Sequence, residues 1–375
     1  MTFEELSLIQ PILDAVRTMG YTEPTPIQQQ AILPALEGRD IMGCAQTGTG
    51  KTAAFALPIL QHLAAKKNNG SRPRTRALVL APTRELALQI SENFTQYGVH
   101  LGIRHTVIFG GVSQKNQEKA LKSGVDIVVA TPGRLLDLTQ QGLMHYDAIE
   151  HFVLDEADRM LDMGFINDIR KIIAMLPKQR QTLFFSATIS SEIRELSRSM
   201  LINPVHLNVE PEVETPALVS QSIYYVRKEN KRSLLKHLLR TEDIEHALVF
   251  TRTKHGADRV VEDLKKCGFN AAAIHGDKTQ SAREKALNAF KSKTIRVLVA
   301  TDIASRGIDV DSLSHVINFE IPEQAETYVH RIGRTGRAGM TGAAFSFCSA
   351  DEIAYMRGIH KLTKQKIAVA EHPYA

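Results

Sequence analysis

Short runs of apolar and β-branched residues recur along the chain, separated by stretches whose apolar positions return every three or four residues. In the first half the runs are Ile41–Cys44, Ala77–Ala81, Arg104–Phe109, Asp126–Ala130, His151–Asp155 and Thr182–Ser186. Amphipathic stretches such as Arg84–Tyr97 and Asn167–Leu176 lie between them. A continuous apolar run suits a strand buried on both faces, and such strands alternating with helices predict a parallel sheet covered on both sides. The rhythm breaks at Glu210–Ala217, an acidic segment with two prolines that reads as a linker. It resumes with Ser222–Val226, His246–Phe250, Ala271–Ile274, Arg296–Ala300, His315–Phe319 and Ala343–Phe347. The expectation is two α/β domains of similar size, 1–209 and 219–375, joined by 210–218.

Composition narrows this picture only a little. A chain of 375 residues is too long for one core, so two domains are the natural reading. Hydrophobic residues at 43% and charged residues at 23% are ordinary for a globular protein. No apolar stretch is long enough to span a bilayer, and the start, Met-Thr-Phe-Glu-Glu, has no secretion-signal pattern. Cys44, Cys267 and Cys348 are odd in number and far apart, which fits a reducing, cytoplasmic setting rather than a disulfide framework or a metal site. The net charge of +5 is compatible with a polyanionic partner, yet neither half is a basic tail. Any nucleic-acid contact must come from placed residues, not from bulk charge.

The chemistry begins at Ala45-Gln46-Thr47-Gly48-Thr49-Gly50-Lys51-Thr52, between an apolar run and a helix-like one. Strand, glycine turn and helix start form the context of a phosphate-binding loop. Gly48 and Gly50 let several N–H groups converge on one anion, and the helix dipole points the same way. Lys51 would reach the β- and γ-phosphates, and Thr52 would ligate Mg²⁺. Ala45 stands where the strict pattern has a glycine. The alternative is a glycine turn with a chance Lys-Thr. Further on, Phe152-Val153-Leu154 runs into Asp155-Glu156-Ala157-Asp158. Asp155 would hold Mg²⁺, partly through water, and Glu156 would orient and deprotonate the attacking water. The alternative is an acidic first turn of a helix. Ser186 and Thr188 could bond to Asp158, although by chemistry alone they read first as helix caps. In the second half, His330-Arg331-Ile332-Gly333-Arg334-Thr335-Gly336-Arg337 places Arg334 and Arg337 three apart. They suggest arginine fingers lent to a nucleotide held by the other domain, or else an exposed basic turn.

With these motifs in this order the whole chain resembles the DEAD-box family of ATP-dependent RNA helicases of superfamily 2. Val249–Gly256 is most similar to the bacterial RhlE-like subgroup. The resemblance implies two tandem RecA-like domains, each a mainly parallel sheet flanked by helices. It implies ATP and Mg²⁺ as cofactors, with RNA, single-stranded or duplex, as partner. RNA-processing or ribosome-related proteins are possible further partners, and no membrane is implied. Gly20–Gln28, with Phe3 upstream, is similar to the family's Q motif, so Gln28 would read the adenine edge and Tyr21 would pack on the base. Pro82, Thr83, Arg84, Gly110, Gly111, Thr131 and Arg134 match RNA-contacting positions of the first lobe. Arg252, Thr301 and Arg306 match those of the second. Gly307 and Asp309 would approach the ribose side of ATP, and Asp158, Ser186, Thr188 and His330 would couple the sites. The implied activity is an RNA-stimulated ATPase that separates short duplexes locally or remodels RNA–protein complexes. A backbone-led, sequence-independent grip fits a chain with no Trp and no patch of aromatics for base stacking. The rival readings are a DNA translocase, a nucleotide-gated RNA clamp or scaffold, and a P-loop kinase or small-molecule ATPase.

Overall fold

The computed structural model describes residues 1–45, 48–66, 74–208, 219–302, 313–336 and 341–374, with Asn208 and Glu326 described only by their backbone. The chain divides into two compact units, Met1–Pro211 and Glu212–Ala375.

The first unit is built on strands β1 (Ile41–Cys44), β2 (Ala77–Leu80), β3 (His105–Ile108), β4 (Ile127–Ala130), β5 (His151–Leu154), β6 (Gln181–Ser186) and β7 (Val205–Asn208). All pair in parallel, in the order β3-β4-β2-β5-β6-β1-β7. The cause is visible in β2, where all four residues are buried. Ala77 and Val79 join the core on one face, and Leu78 and Leu80 join the core on the other. Burying such a Leu or Val contributes roughly 1.5–3 kcal/mol, so a strand apolar on both faces needs helices on both. The helix Lys51–Ala65 is among those covering the first face, with Phe55 and Leu57 wholly buried. Phe185 packs 5.8 Å from Phe55, and its ring lies over Gly43 of the neighbouring strand. A Cβ at Gly43 would come within 2.6 Å of that ring.

The second unit has strands β8 (Val219–Tyr225), β9 (Ala247–Phe250), β10 (Ala271–Ile274), β11 (Val297–Ala300), β12 (His315–Asn318), β13 (Gly342–Cys348) and β14 (Ala368–Val369). They too are all parallel, in the order β10-β11-β9-β12-β13-β8-β14. Numbered within each unit, both sheets therefore read 3-4-2-5-6-1-7. Every strand in one sheet has a topological counterpart in the other.

Each apolar run named in the sequence falls on a strand, with ends shifted by a residue or a few. The helix Arg84–Tyr97 has the expected bounds. The edge strands β7 and β14 are additions to the expected set. The linker 210–218 lies outside the described residues. The three cysteines carry no disulfide. Among the described residues no helix is long and apolar enough to cross a membrane.

Candidate nucleotide site and nucleic-acid edge

In a parallel α/β sheet, ligands gather outside the carboxyl ends of the strands. In the first unit that edge divides in two. The glycine loop follows β1, Asp155 and Glu156 follow β5, and Ser186 ends β6, so the nucleotide-type residues share the adjacent strands β5-β6-β1. Pro82–Arg84 follow β2, Gly110 and Gly111 follow β3, and Thr131–Arg134 follow β4, the other adjacent set.

The loop turns through Gly48 and Gly50 in the left-handed region, at φ of 86° and 91°. That conformation favours glycine. Gly50 needs to be glycine for a second reason, since a Cβ there would lie 2.4 Å from Nε2 of Gln28. Gln28 is buried, its Nε2 donating to Gly50 O at 3.1 Å and its Oε1 accepting from Thr25 N at 3.0 Å. Thr25 Oγ1 donates to Thr49 O at 2.8 Å. The start of the helix Pro26–Leu36 is thus fastened to the loop. Each end of the Gln28 amide keeps one further hydrogen-bonding valence, enough for a base edge. Tyr21 is exposed beside Tyr97, ring centroids 6.5 Å apart, whereas Phe3 is buried in the core. Ala45 is buried, and its carbonyl accepts from Lys51 Nζ at 2.8 Å. Thr52 is half-buried in the first turn of the helix that Lys51 opens.

Lys51 Nζ lies 4.0 Å from Oδ1 of Asp155, and both side chains are buried. Burial pushes the Asp155 carboxyl up to about 6, against the pull of Lys51 and with help from the neighbouring Glu156. Such a carboxylate is short of positive charge, the condition that a hard divalent cation relieves. Among the described residues there is no group of three or more His, Cys, Asp or Glu that could hold a metal ion. The Asp155 carboxylate and the Thr52 hydroxyl beside the loop are hard oxygen donors, the kind that suits Mg²⁺, an ion that usually keeps several waters and substrate phosphate oxygens in its shell. Glu156 caps the helix Ala157–Asp162 at φ 53°, left-handed backbone on a side chain other than glycine, a cost of order 1–3 kcal/mol. Its Oε2 accepts from Arg159 Nη1, and its backbone N–H donates to Asp155 Oδ1 at 3.0 Å. Asp158 Oδ2 accepts from the N–H of Thr188 at 2.9 Å and from its hydroxyl at 3.0 Å. The N–H of Asp158 donates to Ser186 Oγ at 3.2 Å. Ser186 and Thr188 thus bind the acidic cluster; neither caps the next helix, whose cap is Ser190.

On the other half of the edge, Thr83 caps the helix Arg84–Tyr97 and Pro82 is buried beside it. The Arg84 guanidinium lies against Gly111, where a Cβ would come within 2.3 Å of Nη1. Gly111 has φ 78°, and Gly110 has open space where a side chain would be. Thr131 is buried and precedes the helix Pro132–Gln140. Arg134 donates to Val112 O at 3.3 Å and stands 3.4 Å from Asp137.

In the second unit, Arg252 follows β9 and Thr301 follows β11, the counterparts of β2 and β4. Arg252 donates from Nη2 to Ile321 O at 3.0 Å and to Glu352 Oε1 at 3.2 Å, and lies over the Tyr355 ring. Thr301 is buried. His330 is exposed and Arg334 half-buried, on and just after the helix Ala325–Ile332. Gln46, Thr47, Arg306, Gly307, Asp309 and Arg337 lie outside the described residues.

Two buried groups escaped sequence reasoning. Arg331 makes a fork to Asp302, at 2.6 and 2.8 Å, donates to Asn318 and to the carbonyl of Glu320, and stacks over Phe250. Glu352 accepts from Lys231 Nζ, from the N–H of Ile321 and Ser349, and from Arg252. The signal was a charge in an apolar stripe. Arg331 follows buried Tyr328 by three, and Glu352 precedes buried Met356 and Ile359 by four and seven.

Residues 25–196 match the family described as DEAD/DEAH box helicase, and residues 230–339 match the helicase conserved C-terminal domain. The DEAD-box ATP-dependent RNA helicase CshA of Bacillus licheniformis is 43% identical over 367 residues, 98% of this chain and 74% of that protein. The ATP-dependent RNA helicase CshA of Limosilactobacillus reuteri is 42% identical over 377 residues, 100% of this chain and 74% of that protein. Among solved structures, S. cerevisiae Dbp5 bound to RNA and ADP BeF3 matches with a TM-score of 0.87 at 30% identity, covering 98% of this chain and 95% of that one. Mss116p bound to ssRNA and AMP-PNP matches at 0.88 and 29%, covering 99% and 80%.

Proposed function

The chain belongs to the DEAD-box family of ATP-dependent RNA helicases, and from that premise we propose how its own residues carry the activity. The observation that carries the reading is the divided carboxyl edge of the first sheet, nucleotide-type residues on β5-β6-β1 and RNA-type residues on β3-β4-β2. ATP lies on the loop Ala45–Thr52, with Gln28 and Tyr21 at the base and Lys51 on the β- and γ-phosphates. Gln46, Thr47, Gly48, Thr49 and Gly50 line the phosphates. Thr52 and Asp155 would hold Mg²⁺, partly through water, and the ion would supply positive charge against the charge that builds on the phosphate oxygens. Glu156 takes a proton from the attacking water as its oxygen bonds to the γ-phosphorus. The bond to the bridging oxygen breaks and the charge leaves with ADP. Arg334 and Arg337 of the second unit neutralise that charge in the catalytic state, while Gly307 and Asp309 approach the ribose.

RNA runs over Pro82, Thr83, Arg84, Gly110, Gly111, Thr131 and Arg134, and over Arg252, Thr301 and Arg306. Phosphates and 2′-hydroxyls dominate that contact. Asp158, Ser186, Thr188 and His330 link the two ligands, so each strengthens binding of the other by favouring one conformation. The product is local, sequence-independent separation of short duplexes or rearrangement of RNA–protein complexes. The domains are 1–209 and 219–375 around the linker 210–218. The setting is the cytoplasm, with RNA-processing or ribosome-related proteins as partners.

ATP turnover measured with no nucleic acid, single-stranded RNA, duplex RNA and DNA tests the reading. RNA should stimulate strongly and DNA should not, and Lys51→Ala or Glu156→Gln should abolish the stimulated rate. Near wild-type turnover in Glu156→Gln would remove Glu156 from the chemistry.

A further inference from the structure

The strand β10 lies at the edge of the second sheet, paired only with β11 among the described residues. The helices Lys254–Lys266 and Gln280–Lys291 cover opposite faces there, since Val260 and Leu264 pack into one core cluster and Ala286 and Phe290 into the other. A slot of about 640 Å³ remains between them, with β10 as its floor. The carbonyls of Asn270 and Ile274 accept from the β11 side, from Val297 N and Thr301 N. By the two-residue period of a strand, Ala271 and Ala273 turn their N–H and C=O groups to the open edge.

Natural edge strands are usually blunted by a proline, a bulge or a charge of their own. β10 reads Ala-Ala-Ala-Ile and has none of these. The charges stand on the rim instead. Lys265 projects from one helix and Lys285 from the other, both exposed, and Lys278 stands at the carboxyl end of the strand. Among the described residues Asp258 is the one acidic group lining the slot, and it is held by Lys278 at 2.8 Å and His275 at 3.0 Å. A second copy of this edge would be repelled by its own lysines. An acidic strand would be attracted.

We propose that this slot binds an extended acidic peptide segment of a protein partner, added as a further parallel or antiparallel strand beside β10. Main-chain bonds to Ala271 and Ala273 hold it, small alanine side chains leave it room, and Lys265 and Lys285 select its charge. Four residues of β10 span roughly 13 Å, so the recognised core is about four residues long. The surface lies on β10 and its flanking helices and includes none of the residues assigned above to ATP or RNA.

The test uses the full chain and a fluorescein-labelled peptide of alternating glutamate and valine, with a lysine–valine peptide of equal length as control. Fluorescence polarisation should show saturable binding of the acidic peptide alone. Amide hydrogen exchange at Ala271 and Ala273 should slow when it is present. The double variant Lys265→Glu, Lys285→Glu should weaken binding at least tenfold, and Ala273→Pro, which removes one outward N–H, should do likewise. RNA-stimulated ATP turnover should be unchanged in the lysine variant, which separates this surface from the catalytic reading. Equal binding by the variants, no protection at the two alanines, or no binding of the acidic peptide would overturn the proposal. So would a lysine variant that loses affinity for poly(U) RNA and not for the peptide.

Discussion

Asp155 stands in the fold at a cost that the replacement Asp155→Asn should release. Its carboxyl is pushed from an ordinary 3.8 up to about 6, mainly by burial and against the pull of Lys51. Asn imitates the neutral form in nearly the same volume. A shift of roughly two units is worth about 3 kcal/mol, since each unit is about 1.4 kcal/mol. The folded protein holds this proton more tightly than the unfolded chain does. Stability from this group is therefore full below about pH 4 and lost as pH rises through 6. The nucleotide-free, EDTA-treated Asn variant should exceed wild type by about 3 kcal/mol at pH 8. For a unit of this size that is roughly 6–12 °C in Tm. The gap should be roughly halved at pH 5 and nearly gone at pH 4. Thermal unfolding followed by circular dichroism at four pH values measures it. With saturating ATP and Mg²⁺ the order should reverse, because ligand binding stabilises only the chain that binds well. A variant less stable than wild type at pH 8, or a gap independent of pH, would refute the account of Asp155 as a buried, under-compensated carboxylate.

Two further outcomes follow from the packing. Gly111→Ala should cost about 1–2 kcal/mol of stability through its left-handed φ. It should also push the Arg84 guanidinium aside and weaken single-stranded RNA binding roughly tenfold, or about 1.4 kcal/mol, with RNA-independent ATP turnover unchanged. Glu352→Gln leaves buried Lys231 without its charge partner and should destabilise the second unit by about 3–5 kcal/mol, read as a lower urea midpoint.

Much of the fold is legible in the sequence because the sheets are buried on both faces. Runs such as Ala77-Leu78-Val79-Leu80 have no polar position to confuse the reading. The exceptions are the edge strands β7, whose Val-His-Leu-Asn mixes polar with apolar positions, and β14, of only two residues. Motif chemistry found the glycine loop and the acidic cluster because both are local patterns. What stayed hidden depends on partners distant in the chain. Gln28 lies 22 residues from Gly50, the backbone carbonyl it holds. Arg331 looks like its neighbour Arg334 in sequence. Only the arrival of Asp302, Asn318 and Phe250 around it makes one a buried brace, while the other stays half-exposed. The left-handed Glu156 is likewise invisible in composition, because local strain is imposed by what surrounds it.

The matched strand orders have a consequence for stoichiometry. β8 is the counterpart of β1, so the helix after it should open where a second phosphate cradle could have stood. It does open with a lysine, Lys231, as the first helix opens with Lys51. But the connection there, residues 226–230, closes in the 3₁₀ turn Lys228–Asn230, and the Lys231 ammonium is already paired with Glu352 and donates to the carbonyl of Phe347. The second sheet thus resembles a socket wired shut from within, and a titration of the chain with ATP should saturate at one equivalent.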